Sequence, residues 1–151
     1  MTLKLDYIKE GVVRVALSKL HNWSVASQEL LLGTAAVESD FGAHLEQING
    51  PAIGLWGMEP ATHDSLWDDF IEYRKKYKKI LEPRSVERLY GDWVYAAQMA
   101  RIKYMTIPEL LPASWDIDGM ANYWKKYYNT PAGKGTVEVF VKKYRKYVML
   151  K

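Results

Sequence analysis

Four glycines and a proline fall between residues 42 and 57, in GAHLEQINGPAIGLWG, and interrupt a chain whose apolar residues otherwise recur at helical intervals. No α-helix continues through such a stretch, so it reads as a loop or short hairpin with helices packed around it. On its N-terminal side, residues 5 to 20 read as an amphipathic helix with Ile8, Val12, Val15 and Leu20 near one face, and Ser24 is placed to cap a second helix ending near Ser39. On its C-terminal side, Pro60 suits the first turn of a helix reaching about Leu81, and another runs from Val86 to about Tyr104. Pro108 and Pro112 punctuate a connection. Gly119 to Tyr128 and Thr136 to Tyr147 give two more helices, separated by the turn-rich NTPAGKG. The 151 residues are expected to form one mainly α domain. A loop of this length in a compact domain usually carries function.

The helix before the loop ends in TAAVESDFG, residues 34 to 42, and carries a carboxylate at Glu38. At 100° per residue, Thr34, Leu31, Leu30 and Ser27 share its face, which makes that face the inward stripe; Glu29 lies opposite, on the expected wet side. An acid held among apolar groups has a raised pKa, as a general acid working near neutral pH requires. Periodicity alone leaves the alternative open that a helix-end Glu fans out into solvent.

Composition narrows the function classes. With no cysteine there are neither disulfides nor thiolate metal sites, and His21, His44 and His63 lack ligand-like spacing, so no metal or cofactor is expected. No run approaches the roughly 18 apolar residues of a membrane span, and the N-terminus, MTLKLDYIKEGVVRVALSKL, lacks the basic-then-apolar layout of a signal peptide. Charge is only +3 but is clustered in RKKYKK (74 to 79) and KKYRK (142 to 146). Such clusters read as solvated helix faces or as attraction to a polyanion. With modest charge and no recognisable motif, a nucleic-acid partner is not expected. Aromatic residues reach 13%, including six Trp and eleven Tyr, and such rings serve a core or stack on sugars equally well.

Three motifs in order, ESDFG (38 to 42), GLWGMEPAT (54 to 62) and YYN (127 to 129), resemble those of the soluble lytic transglycosylase family, over roughly residues 24 to 147. The wording GPAIGLWGMEPATHD and YYNTPAGKGT also resembles lysozyme-like domains of tailed-phage virion proteins. The resemblance implies a lysozyme-like fold and cleavage of the MurNAc–GlcNAc bond in peptidoglycan. Its partners would be peptidoglycan glycan strands and other phage virion proteins, and its location a phage virion or the host cytoplasm, acting on the cell wall. By position, Glu38 matches the family's catalytic acid, which protonates the glycosidic oxygen and then acts as base for attack by the sugar's own 6-hydroxyl. Ser39 matches the family's Ser at the helix end, and Tyr128 and Asn129 match a Tyr-Asn pair that supports the acid and lines the cleft. Gly54 opens the second motif; Tyr127 is an extra ring.

Two departures stand out. Gly57 occupies the usual position of a substrate-contacting Gln, and the family's loop Ser is missing, leaving Gln47 or Asn49 to supply a polar group. Glu59 stands where transglycosylases are apolar and goose-type lysozymes, a related family, are acidic. It is therefore a candidate base for a hydrolytic variant, or simply a first-turn Glu favoured by the helix dipole. Trp56 reads as a sugar-stacking ring or a core plug, and Gln98 and Arg101 as cleft or packing residues. His63 and Asp64 read as surface and cap residues. GKGT (133 to 136) lacks the P-loop's glycine spacing and reads as a turn before Thr136 as N-cap. The expectation is an enzyme, with a non-catalytic virion or wall-binding domain as the alternative.

Overall fold

The helix that bears Glu38 has no wet side. In the computed structural model, which describes residues 3–46 and 50–149, the helices are α1 (Leu5–Ile8), α2 (Arg14–Lys19), α3 (Val25–Ser39), α4 (Pro60–Asp69), α5 (Lys75–Leu81), α6 (Arg88–Gly91), α7 (Trp93–Met105), α8 (Ile117–Trp124) and α9 (Val137–Tyr147). Among the described residues there is no strand and no helix long and apolar enough to cross a membrane. Ser24 caps α3 reciprocally with Ser27, each side chain bonding the other's amide at 3.0 Å. From Leu30 to Ala36 every residue of α3 is buried, between α9, α7, α8 and α2.

Small residues make that burial possible. A Cβ added to Gly33 would meet Phe140 Cζ of α9 at 2.4 Å, so the two helices touch backbone to ring. Thr34 Oγ1 donates to the carbonyl of Leu30 and shares a 2.8 Å hydrogen bond with Tyr104 of α7. Glu29 is accordingly not on an open face. It is half-buried and accepts the Tyr144 hydroxyl of α9, because α9 covers the side that periodicity left to water. Gly33→Ala is expected to lower stability by about 1–3 kcal/mol, since a packed ring must shift, as read by denaturant midpoints.

The remaining elements depart from the sequence-based expectation at places with local causes. The first helix is continuous only through a wider π turn at Lys9–Val13. The turn keeps Ile8, Val12, Ala16 and Leu20 buried at four-residue spacing, where a regular helix would drift, and it leaves Val15 half-exposed. The long helix expected from Pro60 to Leu81 breaks at Phe70, passes through a 3-10 turn at Ile71–Tyr73 and restarts at Lys75. Between Ile71 and Tyr77 the chain offers no buried apolar residue to hold a helical turn against the core. Gly91 and Asp92 divide the next expected helix, and Asp92 Oδ1 takes the Tyr95 amide at 3.0 Å as a new N-cap. His63 is not a surface residue: it is fully buried, with Nδ1 3.0 Å from Asp64 and Nε2 2.7 Å from the Tyr95 hydroxyl.

Candidate active site

At the end of α3 the chain reverses within three residues. Ser39 Oγ donates to the Ala35 carbonyl and accepts the Gly42 amide, each at 3.0 Å, and Asp40 and Phe41 take left-handed φ values of 49° and 55°. Phe41 is driven into the core and stacks on Tyr147. The returning chain is pinned by single bridges, Glu46 to Ile53 and Ile53 to Met58. It delivers Gly57 back beside Glu38.

Glu38 projects into an open cleft of about 650 Å³ whose walls come from α3, the loop, α4, α7, and the segment around α8 and the following turn. Its Oε2 accepts Trp124 Nε1 of α8 at 2.9 Å. Its Oε1 faces Gly57: a Cβ there would stand 3.0 Å from Oε1 and 3.1 Å from Glu38 Cβ. Gly57 also has φ +55°, a backbone conformation that disfavours any side chain. One carboxyl oxygen is therefore tethered and the other is left clear.

Burial raises the Glu38 pKa from 4.5 to about 7, while the Trp124 hydrogen bond and the Lys103 charge pull it back down. Lys103 of α7 lies across the same cleft. Burial pulls its pKa below the ordinary lysine value, against the Glu38 and Glu59 carboxylates. Its ammonium donates to the Tyr128 carbonyl at 2.8 Å and sits 4.1 Å from the centre of the Tyr128 ring. Tyr128 itself is buried; its hydroxyl donates to the Trp56 carbonyl at 2.6 Å and its ring packs on Tyr104.

A π turn over Lys125–Asn129 ends α8 and carries these groups. Lys125 Nζ clamps it, reaching Asn129 Oδ1 and the Gly133 carbonyl at 2.8 Å each. Asn129 is thus fixed on the cleft wall, with Gly133 and Gly135 closing the rim. Glu59, exposed at the N-cap of α4 without a capping bond of its own, lines the opposite rim.

Of the residues singled out from sequence, the structure gathers Glu38, Gly57, Glu59, Tyr128 and Asn129 around one cleft. Others serve the frame instead. Ser39 is the helix stop just described rather than a substrate contact. Gly54, at φ +84°, is pressed against the Leu89 carbonyl, which a Cβ would approach to 2.2 Å. Trp56 is buried and donates Nε1 to the Leu31 carbonyl, so its ring plugs the core and offers no face to a sugar. Gln98 is buried against Ala16 of α2, and Arg101 bonds Asn22; neither lines the cleft. Tyr127 lines a neighbouring cavity. Gln47 and Asn49 lie outside the described residues. The Lys/Arg clusters are partly neutralised, Lys78 by Glu72 and Lys143 by Asp40.

Two further residues of the cleft are not among those singled out from sequence. Lys103 shares its helical face with Ala96, Met99 and Ala100, all buried, so the helical periodicity that points Glu38 inward points Lys103 inward too. Trp124 likewise shares its face with buried Met120 and Ala121, but its partner lies 86 residues away and carries no local signal. Comparison with protein-family models, curated proteins and solved structures finds no match to this chain.

Proposed function

We propose that the chain is a peptidoglycan-cleaving muramidase of the lysozyme-like type, with Glu38 as its general acid and base. The observation that carries this is a single desolvated carboxyl, its pKa raised to about 7, with one oxygen tethered and the other open to a cleft. Protonated Glu38 delivers its proton to the glycosidic oxygen as the bond to the leaving sugar breaks. The resulting carboxylate then accepts a proton from the attacking hydroxyl. In the lytic transglycosylase route, which we favour, that hydroxyl is the 6-hydroxyl of the same sugar, and the product is a 1,6-anhydro end. Lys103 stabilises the carboxylate in the interval, and the buried Tyr104 and Tyr128 phenols, whose pKa values burial raises, stay neutral beside it. Gly57 fits this role: with no side chain there, nothing crowds Oε1, which a Cβ would approach to 3.0 Å.

Glu59 supports a second reading. It opens into the same cleft, and its carboxylate interacts with Lys103. A hydrolase would use it to hold water against the sugar's opposite face, with carboxyl groups about 6.5–9.5 Å apart. Digestion of purified peptidoglycan followed by mass spectrometry of the fragments separates the routes. Anhydro ends, one water lighter, with activity retained in Glu59→Gln, are expected for the transglycosylase. Reducing ends, with Glu59→Gln severely impaired, would identify the hydrolase. Failure of the wild type to release any fragment would refute the muramidase reading and leave a wall-binding domain.

A further inference from the structure

The Glu38 cleft borders a neighbouring cavity where α4 and α7 line it. Thr62 and Lys103 line it, and the same two residues line a second cavity of about 720 Å³ that runs on towards α5. Part of its lining is apolar, from Leu66, Phe70, Met105 and Tyr127. The lining also carries two opposite charges. Arg74 lies flat on Phe70, its guanidinium carbon 3.7 Å from the ring centre and Nη1 donating to the Phe70 carbonyl. Asp69 is also on the lining. Among the described residues neither Arg74 nor Asp69 makes an ion pair, although Asp64, Asp68, Glu72 and Lys78 nearby all do.

We propose that this second cavity is a binding site for a short peptide bearing a free carboxylate and a free amine, namely the peptide branch of a peptidoglycan strand lying in the Glu38 cleft. The choice of peptide rests on the muramidase reading; the binding chemistry does not. A muramyl sugar carries its peptide on a lactyl arm, so a strand seated beside Glu38 must send that arm out of the cleft. The neighbouring cavity, which shares Thr62 and Lys103 with the cleft, lies where such an arm would go. Arg74, held planar by its stack, presents its remaining N–H groups to a carboxylate, and Asp69 offers a counter-charge to the amine of a dibasic third residue. The apolar wall takes the alanyl methyls and the methylene chain between the two charges.

Binding is read without catalysis. The peptide N-acetyl-L-Ala-γ-D-Glu-L-Lys-D-Ala, its N-terminus blocked as it is on the lactyl arm, is titrated into isotope-labelled protein, and amide shifts are followed by NMR. Shifts are expected at Ser65, Leu66, Phe70 and Arg74. Arg74→Ala should weaken binding roughly tenfold, the scale of one charge-assisted contact. Arg74 is exposed, so this variant retains the fold. Asp69→Asn should weaken binding of this peptide but leave unchanged the binding of a version acetylated on its lysine. Absence of shifts at these amides, or equal binding by Arg74→Ala, would overturn the site. Failure of wild-type cleavage would remove the muramidase reading, whereas the titration tests the peptide site independently of it.

Discussion

Glu38→Gln is expected to lower cleavage of peptidoglycan by about 10²–10⁴-fold while making the folded protein more stable at alkaline pH. Both effects follow from one desolvated group. The acid must be protonated to work, so wild-type activity should fall as pH rises through about 7. For stability the sign is set by where the proton binds more tightly. The folded chain holds it up to about 7 and the unfolded chain only to the ordinary 4.5, so wild-type stability is greatest below 4.5, declines between those values and stays low above them. A gap of that size corresponds to about 3 kcal/mol, an upper figure because the side chain is partly accessible from the cleft. Glutamine has no such proton to lose. Denaturant melts of both proteins at pH 5 and pH 8.5 should therefore show the variant gaining on the wild type by about 2–3 kcal/mol between the two conditions. Parallel pH dependences would mean that Glu38 is not desolvated.

Trp124 is expected to give the second large effect, and it divides into packing and tuning. The ring is buried, packs 5.5 Å from Phe140 and leaves so little room that a Cβ on Gly135 would stand 2.5 Å from it. Trp124→Ala should therefore cost about 3–5 kcal/mol, seen as a lowered denaturant midpoint. Trp124→Phe keeps most of that packing and removes only the donor to Oε2. Because the hydrogen bond holds the Glu38 pKa down, losing it should move the alkaline limb of the pH–rate profile upwards. Lys103→Met should move the limb in the same direction by removing the neighbouring charge. A downward movement in either variant would contradict this assignment of causes.

The features legible in the sequence are those that depend on neighbours along the chain. Ser24, Pro60 and Thr136 begin their helices because a cap or a fixed φ is a local property. The inward direction of Glu38 follows from helical geometry in the same way. What is not legible depends on what covers an element. Glu29 reads as wet only if α3 has an outer face, and the approach of α9 across Gly33 removes it. Trp56 and Gln98 sit where a cleft contact is expected, yet the Leu31 and Ala16 carbonyls claim them. The break at Phe70 is set by the missing apolar turn beyond Ile71 rather than by the charge run itself. The tether from Trp124 to Glu38 joins residues that no local rule connects.

That tether has a consequence for the order in which the protein becomes complete. The helix carrying the acid is made early, but its surroundings arrive late: Lys103 from α7, then Trp124 at the end of α8 and Tyr128 in the π turn. A nascent chain that ends before residue 103 has the acid but neither Lys103 nor Trp124 to set beside it. The acid is thus made before each of the groups that tune it, and its special character waits on the packing of α7 and α8 against α3.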